Sequence, residues 1–439
     1  MTALICIALV SFASIQVRYS AALIGLLPTP QADAYTWSDG ATQQRIDSNG
    51  TVRAPYCSEV VAASDSTNSA GLTSTDLEWD DRWFIADSRT YNHDIAQASV
   101  ILSAVCNSES QFYGSVEGAA PYAEQTLGSL GFEDIHTESY ALRSNPLDQL
   151  GALFSGKHDV AAYTFASKTI AGKSGDASET LVFVGIRGSY GVEWLSNFKF
   201  ADFGEETVDH YGFKAAEQEV KQALVRYLDD EGIDASAAKF LITGHSRGGS
   251  IANLLAAEFD GESTKHATHD PAVSEENPAL PASPENVFAY TFAAPCTTQA
   301  ADRAESRYGN IFNIVNPSDI VPQLPLSTWG YGRYGTAVVL PEADGARFSS
   351  SYASMQRAFQ ANTGFANPCD EDALGELDSF GTRASTSLPS AESLVTIEGM
   401  AALCQSLLGV DYEMAFSAHY PDTYIAWMQS VSAGDLAFC

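Results

Sequence analysis

Short apolar segments alternate with longer amphipathic ones along the chain, and the two periodicities predict different elements. Nearly continuous apolar runs of about four to eight residues are typical of buried strands, whereas apolar residues three and four positions apart are typical of helices. We therefore predict strands at 160–167, 180–186, 239–243, 287–293, 311–315 and 336–340, and helices that include 214–229 and 247–259. Helical spacing also appears in "LEWDDRWF", from Leu77, and in "TYNHDIAQASVILSAVC".

This alternation predicts an α/β fold with a mostly parallel central sheet flanked by helices. Segments such as 180–186 (TLVFVGI) are apolar at almost every position. Such runs are expected in the strands of a parallel sheet whose two faces are both covered. We expect this domain to span residues 76–439.

Three polar stretches interrupt the pattern. Residues 35–75 are rich in Ser, Thr, Asn, Asp and Gly, and we expect them to form a poorly structured lead-in. Residues 261–286 are polar and contain several prolines, which indicates a surface loop. Residues 342–395 mix helical and loop-like segments, so we expect an insertion near the end of the sheet.

The first 34 residues have the features of an export signal. A short apolar core at 19–27 follows the basic residue Arg18, and the "ADA" at 32–34 has the small-x-small form of a cleavage site. The alternative is an uncleaved membrane anchor, but two apolar runs broken by polar residues and followed by Pro28 and Pro30 are poorly suited to span a bilayer. We predict a cleaved signal peptide at 1–34 and a secreted chain without a transmembrane span.

The charge of the chain excludes some classes of partner. It carries 55 acidic and 23 basic residues, a formal net charge of −32, in a sequence that is 45% hydrophobic. Nucleic-acid binding depends on clustered Lys and Arg, so we expect no nucleic-acid partner. The acidic surface is expected to serve solubility.

Six cysteines lie beyond the predicted leader. An even number in an exported chain permits three disulfides, in any of fifteen pairings, while buried free thiols are the alternative. The six are Cys57, Cys106, Cys296, Cys369, Cys404 and Cys439.

The stretch "ITGHSRGGSIA" contains a Gly-x-Ser-x-Gly motif centred on Ser246. It follows the predicted strand 239–243 and opens the predicted helix 247–259, which is the setting of a nucleophile elbow. Gly244, His245 and Gly248 form this elbow, in which glycines suit a turn too tight for side chains. We predict Ser246 as a nucleophile; the alternative is an ordinary glycine-rich turn.

A serine nucleophile needs a general base, and in this fold the base comes late in the chain. Three histidines follow Ser246. His266 and His269 lie in the polar loop, so we predict His419, in "EMAFSAHYPDTYIAWM", as the base. The alternative for His419 is a partly buried histidine between two helices.

The carboxylate that orients the base is expected just beyond a strand. Asp319, in "NPSDIVPQLP", follows the strand at 311–315 on a loop stiffened by two prolines. We predict Asp319 as the acid; Asp302 and Asp344 are alternatives in more polar surroundings, and Asp319 could also be a simple turn residue.

An oxyanion hole and a lid are predicted from the neighbouring segments. The main-chain amide of Arg247, at a helix N-terminus, and Ser189, at the end of the strand 180–186, are the predicted oxyanion donors. The amphipathic segment 190–200 is either a lid or a packed helix. Trp194, Leu195 and Phe198 are available to form its apolar face.

Several motifs resemble, in their order, those of the class 3 (fungal-lipase-type) lipases of the α/β-hydrolase superfamily. They are "FVGIRGSYGVEWLSNF", "VDHYGFKAA", "GHSRGG", "YTFAAP" and "IVNPSDIVPQLP", and the resemblance covers roughly residues 85–430. It implies Ser246 as nucleophile, Asp319 as acid and His419 as base. It also implies oxyanion donors at Ser189 and Arg247, with a lid just after Ser189.

We therefore expect a secreted serine hydrolase that cleaves carboxylic esters through an acyl-enzyme, with no metal or organic cofactor. A triacylglycerol lipase or esterase is favoured, acting on esters with an apolar acyl group at a lipid–water interface. A phospholipase, an acyltransferase, a peptidase and a non-catalytic binding protein on a hydrolase scaffold are the alternatives. Arg247 stands where leucine is common in the family, which puts a charge beside the acyl site. This and other departures from the family's pattern together leave the substrate open, and the oligomeric state is not predicted.

Overall fold

Ten strands belong to the part of the chain that the computed structural model describes. This part comprises residues 45–68, 71–112, 122–138, 161–172, 177–188, 208–259, 280, 283–369, 374, 380–387 and 417–439. The strands are β1 (Asn49–Cys57), β2 (Leu72–Asp80), β3 (Glu133–Glu138), β4 (Tyr163–Ala171), β5 (Ser178–Ile186), β6 (Lys239–His245), β7 (Val287–Phe292), β8 (Ile311–Val315), β9 (Thr336–Val339) and β10 (Ala437–Phe438).

Eight α-helices accompany these strands in the described residues. They are α1 (Glu59–Ser64), α2 (His93–Phe112), α3 (Tyr122–Ser129), α4 (Tyr211–Asp230), α5 (Arg247–Phe259), α6 (Phe348–Thr363), α7 (Phe380–Ser387) and α8 (Pro421–Ser430). None of the described helices combines the length and the apolar character needed to cross a membrane.

Strands β3 to β10 form one sheet in which neighbours in space are also neighbours in the chain. The five strands from β5 to β9 are parallel, while β3, β4 and β10 pair antiparallel at the two edges. The six strands predicted from the apolar runs correspond to β4 through β9. The predicted α/β fold with a mostly parallel sheet is confirmed.

The alternation of side chains along each strand divides the core into two layers. In β5, Leu181 and Phe183 face a layer that contains α2, α6 and α8, whereas Val182, Val184 and Ile186 face a layer that contains α4 and α5. All five side chains are fully buried. Both sheet faces are therefore covered, which explains why the strand is apolar at successive positions.

The expected poorly structured lead-in was wrong for the described part of residues 35–75. Strands β1 and β2 form an antiparallel hairpin with nine paired positions, from Asn49 opposite Asp80 to Cys57 opposite Leu72. The helical spacing read from Leu77 was also wrong, since residues 77–80 belong to β2 and only a 3₁₀ turn, Asp81–Ile85, follows. Val52, Tyr56 and Trp79 of this hairpin are buried in the core layer that contains α2.

Helix α6, within the segment 342–395, connects this hairpin to the C-terminal helix. The side chain of Thr73 donates to the main-chain oxygen of Asn362 at 2.5 Å, and Thr75 donates to the Asn362 side chain at 2.9 Å. Asn362 in turn donates to Gln429 of α8 at 2.8 Å. The described part of the segment is thus packed against the domain.

Some sequence predictions concern residues outside the described ranges. They include the leader at 1–34, most of the loop at 261–286, and Cys404. Among the described cysteines, Cys296 carries a buried free thiol and Cys439 an exposed one. Three disulfides among the six cysteines are therefore not formed.

Candidate active site

Ser246 lies at the turn between the end of β6 and the start of α5. Its φ angle is +58°, in the left-handed region that residues with a side chain rarely adopt. Two main-chain hydrogen bonds hold this conformation, since the Ser246 amide donates to Phe292 at 2.9 Å and the Ser250 amide donates to Ser246 at 3.1 Å. A strained serine held in this way at a strand–helix turn is typical of a nucleophile elbow.

The flanking glycines are required because the main chain approaches itself closely. A Cβ atom on Gly244 would lie 2.4 Å from the carbonyl carbon of Gly248, and one on Gly248 would lie 2.2 Å from the carbonyl oxygen of Ile186. Both distances are far below van der Waals contact, so any larger residue would displace the turn from the sheet.

The side chains of Ser246, Asp319 and His419 form a continuous hydrogen-bonded series. The Nε2 atom of His419 lies 2.9 Å from Ser246 Oγ, and its Nδ1 atom lies 2.8 Å from Asp319 Oδ2. The Asp319 carboxylate can only accept, so Nδ1 carries the proton and Nε2 is left to accept from the serine hydroxyl. All three residues are buried, with exposures of 7%, 0% and 6% in that order.

Asp319 has two further partners that hold its carboxylate in place. Its Oδ1 atom accepts from the amide of Val321 at 2.9 Å, and its Oδ2 atom accepts from the hydroxyl of Tyr424 at 2.9 Å. The Tyr424 hydroxyl also accepts from the amide of Asn316 at 3.1 Å. Burial and the charge of Asp319 raise the pKa of Tyr424 well above its ordinary value, so the hydroxyl remains a donor.

The main chain after β5 passes beside the serine. The Gly188 amide donates to the side chain of Asn107, on α2, at 2.8 Å. A Cβ atom on Gly188 would lie 2.8 Å from the carbonyl oxygen of His245 and 3.5 Å from Ser246 Cβ. Asn107 therefore fixes the residue that immediately precedes Ser189, a contribution that the sequence analysis did not identify.

The other predicted site residues are only partly described. Arg247 is the first residue of α5 and is 3% exposed. Ser189 and the segment with Trp194, Leu195 and Phe198 lie outside the described residues, as do the alternative bases His266 and His269.

Asp319, and neither of the two alternative acids, is the carboxylate that bonds to His419. Asp302 pairs with Arg307 on the loop before β8, and Asp344 is exposed on the loop after β9.

Within the described part of the chain, no group of histidine, cysteine and carboxylate side chains is arranged to hold a metal ion. The arrangement around Ser246 is suited to moving a proton between a hydroxyl and an imidazole.

A mostly parallel sheet with a strained Gly-x-Ser-x-Gly elbow between a central strand and its following helix defines an α/β-hydrolase. A sequence model described as "Lipase (class 3)" matches residues 183–329, a range that includes Ser246 and Asp319. This match, over a third of the chain, is to the family that the motifs of the sequence resemble.

Several characterised lipases are similar to parts of the chain. Secreted mono- and diacylglycerol lipase A of Penicillium cyclopium is 24% identical over 220 residues, which are 47% of this chain and 66% of that protein. Secreted mono- and diacylglycerol lipase 1 of Fusarium solani is 25% identical over 164 residues, 36% of this chain and 43% of that protein. The chain thus spans less than two thirds of the length of these relatives.

Solved lipase structures are also similar. Mono- and diacylglycerol lipase from Aspergillus oryzae matches with a TM-score of 0.32 and 18% identity, over 58% of this chain and 80% of that one. Lipase II from Rhizopus niveus matches with a TM-score of 0.35 and 15% identity, over 55% of this chain and 80% of that one.

Proposed function

We propose that the protein is a secreted serine hydrolase that cleaves carboxylic esters of lipids, with mono-, di- or triacylglycerols as its substrates. The observation that carries the proposal is the series Ser246–His419–Asp319, whose two hydrogen bonds measure 2.9 and 2.8 Å. The hydroxyl, the imidazole and the carboxylate are those that acyl transfer requires, and each has the orientation that its role requires.

In this proposal His419 removes the proton of Ser246 as Oγ bonds to the ester carbonyl carbon. The Nδ1–H bond to Asp319 stabilises the imidazolium that forms. The Arg247 amide and Ser189 are the proposed donors to the oxyanion. The carbon–oxygen bond to the leaving alcohol then breaks, and the alcohol takes the proton from the imidazolium. Water attacks the acyl-enzyme by the same proton transfers and releases the carboxylic acid.

The lipid substrate class is supported by the family and by the relatives. Two of the similar proteins are named as secreted mono- and diacylglycerol lipases. The amphipathic segment 190–200 supplies Trp194, Leu195 and Phe198 as a proposed lid that would open at a lipid–water interface. Secretion of this chain is supported by the leader-like residues 1–34 and by the names of the same relatives.

A fluorophosphonate probe tests the proposal directly, since it reacts only with an activated serine. We expect mass spectrometry to locate one adduct on the peptide that contains Ser246, and we expect Ser246→Ala to lose both the adduct and hydrolysis of an emulsified acylglycerol. Ser250→Ala is the matched control. This serine lies one turn further along α5, is buried, and donates to Pro295 at 3.1 Å. Labelling of a different serine, or none in the folded protein, would refute the proposal.

A further inference from the structure

The residue before the nucleophile, His245, packs directly against the main chain of His419. Its Nε2 atom lies 2.8 Å from the main-chain oxygen of His419. The two imidazole rings lie 4.9 Å apart, and the ring of Tyr424 contacts His245 edge-on at 5.6 Å. His245 is 3% exposed, so this contact lies inside the protein.

The hydrogen bond to the main-chain oxygen of His419 shows which ring nitrogen of His245 carries a proton. A main-chain oxygen can only accept, so Nε2 carries a proton and donates it. Burial, reinforced by the nearby His419, lowers the pKa of His245 well below its ordinary value. The ring of His245 is therefore neutral at neutral pH. A neutral neighbour does not repel the imidazolium that forms on His419 during acyl transfer, whereas a charged one would.

The main-chain oxygens of Ala418 and His419 each accept a hydrogen bond from a side chain that lies close in sequence to another residue of the site. Asn316, three residues before Asp319, donates to the main-chain oxygen of Ala418 at 3.0 Å. His245, next to Ser246, donates to that of His419. The segment that carries the base is thus attached to the acid's loop and to the nucleophile's turn through its main chain as well as through its imidazole.

We propose that His245 is a positioning residue that ties the nucleophile turn to the main chain of His419 and so fixes the distance between Ser246 Oγ and His419 Nε2. The proposal rests on the proposed function. It assigns to His245 a role beyond completing the elbow. If the main chain of His419 moves, rotation of its side chain cannot by itself restore the distance from Nε2 to Ser246 Oγ. A displacement of a catalytic group by about 1 Å can lower the rate on the order of 100-fold.

Two substitutions separate the hydrogen bond from the packing. His245→Phe keeps an aromatic ring against Tyr424 but removes the donor, whereas His245→Gln places an amide donor near the position of Nε2. We expect His245→Phe to lower kcat for a soluble p-nitrophenyl ester by about 10- to 100-fold with KM changed less than about twofold. We expect His245→Gln to recover most of that loss. A donor that merely stabilised the fold would alter the amount of active protein and not kcat per labelled serine.

The number of active sites is counted by fluorophosphonate titration, and the low-field proton resonance of the His419–Asp319 hydrogen bond is followed by NMR. We expect that resonance to broaden or move in His245→Phe and to return in His245→Gln. If His245→Phe does not fold, His245→Asn replaces it, since its amide is too short to reach the carbonyl. A wild-type kcat in the Phe or Asn variant would overturn the inference. An unlabelled, inactive wild-type protein would instead refute the proposed function.

Discussion

At the scale of single residues, the hydrogen-bond partners of Asp319 explain how its carboxylate is kept fully buried. It accepts from a main-chain amide, a tyrosine hydroxyl and an imidazole, so each oxygen has at least one donor. Hydrogen bonds to a charged acceptor are about twice as strong as neutral ones. Tyr424 therefore belongs to the site as much as the loop that carries Asp319 does.

Removal of the Tyr424 hydroxyl tests this contribution. We expect Tyr424→Phe to lower kcat about 10-fold, because Asp319 loses a donor and the Asn316 amide loses its acceptor, while KM changes little. Steady-state kinetics on a soluble ester would measure both constants.

The matched control for Tyr424 is Tyr290→Phe. Tyr290 is also buried, and its hydroxyl accepts from the amide of Asn92 at 3.1 Å, on a different part of the core. Equal losses of kcat in the two variants would show that the effect is general to buried tyrosines and is not specific to Asp319.

The sequence predicted the three residues that the structure brings together, but not those that hold them. Ser246 follows from a local motif, and Asp319 and His419 follow from their order along the chain. Asn107 and Tyr424 show no such pattern, because each acts across a tertiary contact with a segment distant in sequence. The distances along the chain are 81 and 105 residues, which no local pattern encodes.

At the scale of elements, strands were predicted well where both faces are buried and poorly where one is exposed. In β2, Thr75, Leu77 and Trp79 point inward while Asp76 and Glu78 are exposed, which is the period of two expected for a half-buried strand. The apolar residues that follow in "LEWDDRWF" fit a helical period as well, so the short alternation was misread. In β1 the presence of Pro55 further obscured the strand.

A buried carboxyl connects the hairpin to the first turn of α8. Asp422 is 2% exposed and lies beside the hydroxyls of Ser58 and Tyr56. Burial is the largest cause that raises the pKa of Asp422 to about 7; the charge of Glu59 adds to this effect, and hydrogen bonds with the two hydroxyls oppose it. Asp422 is therefore protonated in mildly acidic solution.

This pKa makes stability depend on pH. Above the ordinary pKa of an aspartate, about 4, the folded state holds a proton that the unfolded state has lost, so the free energy of unfolding falls as the pH rises towards 7. Asp422 lowers the free energy of unfolding by at most about 4 kcal/mol over this pH range. Asp422→Asn removes the titrating carboxyl and with it this pH dependence. We therefore expect the free energy of unfolding of the variant to rise relative to that of the wild type as the pH increases from 5 to 8.

Urea denaturation at the two pH values measures that gain. Asp344→Asn, at an exposed aspartate, is the control and is expected to follow the wild type at both. A constant difference between Asp422→Asn and the wild type would contradict the assigned pKa.

At the scale of the whole molecule, one buried ion pair attaches the hairpin to the main sheet. Lys168, on β4, donates to Asp81 at 2.9 Å and to the main-chain oxygen of Leu130 at 2.7 Å. Asp81 also accepts from the indole of Trp79 at 2.7 Å. The side chains of the pair are 2% and 7% exposed, so both charges depend on each other for compensation.

Breaking this pair leaves an uncompensated buried charge. We expect Lys168→Met to lower the free energy of unfolding by about 3–5 kcal/mol, measured by urea denaturation with tryptophan fluorescence. Arg53→Met is the matched control in the same hairpin, since Arg53 and Asp76 form a pair at 3.0 Å that is largely exposed. We expect it to cost less than about 1 kcal/mol. Similar decreases in the free energy of unfolding in both variants would argue against Lys168 anchoring the hairpin to the sheet.

The side chains of Ser246, Asp319 and His419 come from points spread widely along the polypeptide, and Ser246 and His419 are 173 positions apart. During translation the hydroxyl emerges from the ribosome long before the imidazole. A nascent chain with its elbow already formed would still lack a base, and so would any fragment interrupted before position 419. In the proposed mechanism, ester cleavage can therefore begin only after position 419 has been translated and has packed against the elbow.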